Sequence, residues 1–147
     1  MPVTIVVADD EEYHREIVRF LIASVSDTMI VVGEASDGEE ALSVALRERP
    51  DIVITDLVMP RLSGIELTRR IRQELPQTRV ILMSSFTEDA YRMMASDSGA
   101  DAFVSKQVIF DNLLPALYDV IRRRLSGGSG PLPPSAGGSS ASAGAPK

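Results

Sequence analysis

Five short apolar runs, each set apart from the next by a stretch of different periodicity, constrain this chain more than any other feature. They occupy residues 3–8 (VTIVVA), 30–35 (IVVGEA), 51–55 (DIVIT), 80–83 (VILM) and 102–104 (AFV). They are rich in β-branched residues and mostly continuous rather than alternating, the mark of strands buried on both faces of a parallel sheet. Helical stripes lie between them. Ile17, Leu21 and Val25 repeat at four-residue steps, with Phe20 alongside. Ala41, Leu42, Ala45 and Leu46 form a second stripe, and Leu67, Ile71 and Leu75 a third. Leu114, Leu117, Tyr118, Ile121 and Leu125 form the last. Residues 88–97 give a weaker helical pattern. Asp37 followed by Glu40 reads as a capping box. Asp111 reads as another cap, which puts Pro115 in that helix's first turn, where it is tolerated.

The order is therefore βαβαβαβαβα. Right-handed crossovers then place helices on both faces of an open, doubly wound sheet. Such a sheet binds ligands beyond the carboxyl ends of its strands, at the switch point of the strand order.

Composition removes whole classes of function. The 147 residues carry 15 Lys+Arg against 21 Asp+Glu, a net charge of −6. That is a poor match for phosphate-driven nucleic-acid binding. With no cysteine and one histidine, thiolate chemistry and multi-histidine metal sites are absent. No apolar run approaches ~20 residues, so no membrane span is expected. The first eight residues lack the pattern of a signal peptide, which makes the cytoplasm the expected location. Composition shifts abruptly after Leu125. Residues 126–147 hold 6 Gly, 4 Pro, 6 Ser and 4 Ala out of 22, too little apolar surface to offset ordering entropy. The expected division is a folded domain over 1–125 and a flexible tail or linker stub over 126–147.

The strand ends carry the chemistry. The first run ends in Asp9-Asp10, the third in Asp56, the fourth in Ser84 and the fifth in Ser105-Lys106. In the 2-1-3-4-5 order that known folds of this class adopt, they converge on one edge. Three clustered carboxylates repel and need protons or a cation. Oxygen-only ligands point to a hard ion, Mg²⁺ or alternatively Mn²⁺. Lys106 is the one lysine among thirteen arginines in residues 1–125, which suggests that a compact ammonium is required there. Ser84 can donate a hydrogen bond to a bound anion. Asp56 can attack phosphorus as a carboxylate nucleophile.

Asp9-Asp10, ITDLVMP around Asp56, Gly64, LMSS at Ser84 and FVSK at Lys106 together resemble the receiver domain of two-component response regulators. The stretch VVGEASDGEEAL is most similar to receivers that usually carry a C-terminal helix-turn-helix. The resemblance implies a flavodoxin-like (βα)5 fold and a phosphorylation-dependent switch that catalyses only its own phosphotransfer and dephosphorylation. It implies that Asp56 accepts a phosphoryl group from a histidine kinase or a small phosphodonor. Asp10, Asp56 and the Val58 backbone carbonyl would ligate Mg²⁺, with Asp9 acting through a water. Ser84 and Lys106 would contact the phosphoryl group, and Phe103 would change rotamer with Ser84. The signalling face would be helix four, strand five and helix five, roughly residues 87–125, serving a homodimer or a downstream protein. Gln107 stands where many relatives have proline, so no cis bond is expected. Val58 and Phe86, two residues beyond Asp56 and Ser84, are apolar where the family lines the path of the hydrolytic water, which predicts a slowed phosphoryl decay.

Blander readings stand beside these. An isolated Asp9 or Asp10 is most often a helix cap, and Phe103 alone reads as core. Ser85 competes with Ser84, although the register favours Ser84. His14 reads as a surface residue of the first helix, and Arg122–Arg124 as a solvated helix end. Met93 and Met94 fit either core or a partner-facing side. A magnesium-dependent phosphohydrolase of the haloacid dehalogenase type also uses a strand-end aspartate, but it needs a general acid where this chain has Val58. An unphosphorylated docking module is the third reading.

Overall fold

The computed structural model describes residues 2–25, 28–86 and 88–125. The expected flexible segment 126–147 lies outside the described residues. Five strands, β1 (Val3–Ala8), β2 (Met29–Ala35), β3 (Ile52–Asp56), β4 (Arg79–Ser84) and β5 (Ala102–Ser105), alternate with five helices. These are α1 (Glu12–Ala23), α2 (Gly38–Glu48), α3 (Gly64–Glu74), α4 (Asp89–Ser98) and α5 (Ile109–Leu125). The sheet is parallel throughout, in the order β2-β1-β3-β4-β5.

The continuous apolar runs are explained by two cores. Side chains alternate across a strand, so Ile5, Val7, Ile52, Ile54, Ile81 and Met83 point to one face. There they meet Val18 and Leu21 of α1 and Leu113 and Leu117 of α5. Val6, Ala8, Val53, Val80 and Leu82 point to the other, against Ala41 and Val44 of α2, Leu67 and Ile71 of α3 and Ala95 of α4. Each large side chain buried this way contributes about 1.5–3 kcal/mol relative to exposure.

At α2 the cap forms but the box is shifted: Asp37 Oδ1 accepts from the Glu40 amide at 2.8 Å, while Glu40 Oε1 accepts from the Ser36 amide, one residue before the cap, at 2.8 Å. The start of α5 differs from expectation. Ser105 Oγ accepts from the Gln107 amide, a 3-10 turn follows over Lys106–Val108, and α5 begins at Ile109. Asp111 is therefore a first-turn residue and not the cap, and Pro115 lies inside the helix. Burial of Ile109 in the α1-side core draws the helix start upstream. No peptide bond among the described residues is cis, in keeping with Gln107 in place of proline.

Candidate functional site

The register brings the strand ends level. Ala8 pairs with Thr55, Asp56 with Met83, and Ser84 with Ser105. Asp9, Asp56, Ser84 and Lys106 therefore line one rim. Local contacts then fix each of them. The backbone of Leu57, directly after Asp56, is clamped from both sides: its N–H donates to the Met83 carbonyl at 2.8 Å, and its carbonyl accepts from the Gly64 N–H at 2.9 Å. A Cβ at Gly64 would overlap the Asp56 carbonyl, so only glycine allows α3 to start this close to β3. Asp9 Oδ1 accepts from the Glu11 amide at 2.9 Å, and Arg15 Nη1 donates to the Asp9 carbonyl at 2.6 Å.

The centre of the site is Lys106. Its ammonium lies 2.7 Å from Asp9 Oδ2 and 3.2 Å from Asp56 Oδ2. Asp9 is fully buried, and its Oδ2 is paired with the Lys106 ammonium. Burial pushes the Asp56 carboxyl above its ordinary value; Lys106 pulls it back, and the Asp9 charge pushes it up again. Burial also opposes the charged form of Lys106, but the two carboxylates outweigh it and hold the ammonium above its usual range. Asp10 is exposed, and one oxygen from each of Asp9, Asp10 and Asp56 falls within 4.8 Å of the others.

Asp9 and Asp56 share one lysine, and an Asp10 oxygen lies within 4.8 Å of an oxygen of each. That donor set fits a hard divalent cation, since oxygen-rich sites of this size favour such ions.

Ser84 is buried, and its Oγ accepts from the Phe86 amide at 2.8 Å, which leaves its O–H proton free to donate. Ser85 is exposed beyond the strand. Phe103 is half-buried, with the Arg92 guanidinium 5.0 Å above its ring. Val58 and Phe86 are both exposed at the rim, and Phe86 stacks on Tyr91 with ring centres 5.3 Å apart. Met93 and Met94 are exposed on α4, so neither belongs to the core.

His14 corrects the sequence reading. It is not a remote surface residue: its Nδ1 lies 2.8 Å from Glu11 Oε1, 3.1 Å from Lys106 Nζ and 3.6 Å from Asp9 Oδ2. The sequence offered only its place early in the first helix. His14 stands four residues after Asp10, on the first turn of a helix that starts at the rim.

Comparison with known proteins agrees with this geometry. A family model described as the response regulator receiver domain matches residues 5–118. The chain is 32% identical over 122 residues to the response regulator protein VraR of Staphylococcus aureus, covering 83% of this chain and 58% of that protein. It is 32% identical over 120 residues to the uncharacterized transcriptional regulatory protein YxjL of Bacillus subtilis, covering 82% and 55%. The chain thus spans a little over half the length of these curated relatives. Among solved structures, the signal receiver domain of the putative response regulator NarL from Mycobacterium tuberculosis superposes with a TM-score of 0.77 at 33% identity. That match covers 82% of this chain and 97% of the other.

Proposed function

The chain belongs to the response regulator receiver domain family, and on that premise we propose that Asp56 is its phosphoacceptor. The family is a signalling module and not a conventional enzyme. The observation that carries the assignment is the Lys106 ammonium held between Asp9 and Asp56 at the carboxyl end of the sheet.

In the proposed reaction an Asp56 carboxylate oxygen attacks phosphorus. The bond from phosphorus to the donor breaks, and its electron pair leaves with the donor, a phosphohistidine nitrogen of a sensor kinase or the leaving oxygen of a small phosphodonor. Asp10, Asp56 and the Val58 carbonyl would hold Mg²⁺ (Mn²⁺ is the alternative), with Asp9 acting through a water. Bound there, the ion would supply neutralising charge to the phosphoryl oxygens. Lys106 exchanges an Asp56 oxygen for a phosphoryl oxygen, and the free Ser84 proton donates to another. These contacts exist only in the modified state, so their energy biases the loops after β4 and β5. Phe103 and the α4–β5–α5 face carry the change to a second copy or to a downstream protein. The reading includes a cytoplasmic location, where a kinase can supply phosphoryl groups. Among the described residues no helix is long and apolar enough to cross a membrane.

Incubation of the chain with a small phosphodonor and Mg²⁺, followed by intact mass, tests the reading. A single phosphate adduct that disappears in Asp56→Asn is expected. Multiple turnover of the donor would point to a phosphohydrolase, and no adduct to a docking module.

A further inference from the structure

Within the site, His14 Nδ1 is placed in conflict. It sits 2.8 Å from the Glu11 carboxylate, which calls for an N–H on that nitrogen, and 3.1 Å from the Lys106 ammonium, which calls for a lone pair. One nitrogen cannot meet both demands. Asp9 Oδ2, fully buried and paired with Lys106 at 2.7 Å, faces the same space at 3.6 Å. Asp9, Glu11 and His14 thus each aim one electron-rich atom at a common volume, all within 4.8 Å of one another. The Lys106 ammonium stands beside two of them.

We propose that Asp9, Glu11 and His14 form a binding site for a late first-row divalent ion, with Zn²⁺ as the type case, and that this ion displaces Lys106 from Asp9. The donor chemistry selects the ion. Imidazole with carboxylates suits zinc, copper and nickel, while Mg²⁺ prefers oxygen alone. The spacing agrees. Zinc-to-donor bonds of about 2.0–2.2 Å in a tetrahedral shell put neighbouring donors about 3.3 Å apart. The separations from His14 Nδ1, 2.8 Å to Glu11 and 3.6 Å to Asp9, bracket that value, and the Asp9 and Glu11 atoms lie within 4.8 Å of each other, so modest side-chain shifts complete three ligands and leave the fourth position for water. The ion also resolves the conflict at Nδ1, because all three groups then present lone pairs to one positive charge. The ammonium is repelled, and with it goes the charge that prepares Asp56. A metal ion of this class thereby acts as an inhibitor of phosphoryl acceptance.

The binding half of this inference is independent of the receiver reading, and the inhibition half rests on it. Zinc binding to the full chain, without a polyhistidine tag and in excess Mg²⁺, is measured by isothermal titration calorimetry. One equivalent is expected. His14→Leu and Glu11→Gln should each weaken binding more than roughly tenfold, since even outer-shell partners cost about that much. Asp10→Asn should retain zinc binding while weakening Mg²⁺ binding. Unchanged affinity in His14→Leu, or loss in Asp10→Asn as large as in His14→Leu, overturns the site. Thermal unfolding of each variant establishes that it is folded. Zinc should also slow phosphorylation by a small donor in the parent chain but not in His14→Leu; equal rates with zinc bound overturn the displacement of Lys106. A parent chain that takes no phosphate even without zinc rejects the phosphoacceptor assignment, and the calorimetry still decides the metal site.

Discussion

At the scale of single residues, Asp56 carries a conflict between folding and chemistry. Its folded-state pKa stands above the ordinary value, chiefly through burial. Ionised Asp56 is therefore less favourable in the fold than in the unfolded chain. That cost is full above the folded-state value, fades as the pH falls through it, and is gone below the ordinary value of 3.8. Asp56→Asn should accordingly raise Tm at neutral pH, on the scale of roughly 1 kcal/mol or a few degrees typical of relieving a strained functional position. The gain should shrink on acidification, as thermal unfolding of both proteins at several pH values would show; a less stable variant at neutral pH would contradict it. A second prediction concerns the apolar rim. Replacing Val58 with Asn and Phe86 with Glu should speed loss of the phosphoryl group by roughly tenfold, about 1.4 kcal/mol of barrier. Decay of a radiolabelled adduct measures it, and equal or slower decay would sink the idea that these side chains keep water away. Asp9, Asp10, Asp56, Ser84 and Lys106 were legible because parallel strands bring their carboxyl ends level, so their last residues meet. His14 was not. Its position depends on how α1 is rotated, which is set by the Asp9–Glu11 turn and by Arg15 and Arg19 binding Glu34 at 3.1 and 2.6 Å. No periodicity reveals such long-range contacts.

At the scale of elements, α3 is placed by a contact that tolerates no side chain. Gly64→Ala should destabilise the fold by about 1–3 kcal/mol, the usual result of overpacking, because the obstacle is the Asp56 backbone and not a movable side chain. Phosphoryl acceptance should fall with it, since relief comes only by moving β3 or α3. Denaturant melts and adduct yield check both. Gly99 has a different reason for being glycine: it ends α4 with φ 100°, a conformation that a side chain resists. The α2 stripe and its cap were readable because both are local. The start of α5 was not, for the opposite reason. The pull on Ile109 comes from the distant α1-side core, whereas Asp111 and Pro115 offer a local signal that tertiary packing overrides.

At the scale of the whole molecule, each end of the sheet holds its own ion-pair cluster. Carboxylates gather at the carboxyl end. At the amino end a fully buried Asp101 accepts from the Val80 amide at 2.8 Å and from Arg79 at 3.4 Å, while Arg72 approaches to 3.8 Å. Arg123 donates to the Asp101 carbonyl at 3.0 Å. Burial raises the Asp101 carboxyl despite these partners, and it lowers Arg72 despite Asp101. Asp101→Ala should cost about 3–5 kcal/mol, the range for removing one member of a buried ion pair, and denaturant melts would measure it. Phosphodonor with Mg²⁺ should leave that end unchanged in amide hydrogen exchange while altering the loops after β4 and β5.

The Phe86 amide gives its hydrogen to Ser84 Oγ, and the Phe86 ring lies flat on Tyr91 of α4. If Asp56 is phosphorylated as proposed, a Ser84 side chain that turns toward the new anion would carry its Oγ away from that amide, and the backbone of Phe86 would lose one of its anchors. On the proposed phosphorylation, one small rotation would thereby be geared to an aromatic pair on α4, so a change in a pocket of a few ångströms would reach the helix surface without any hinge.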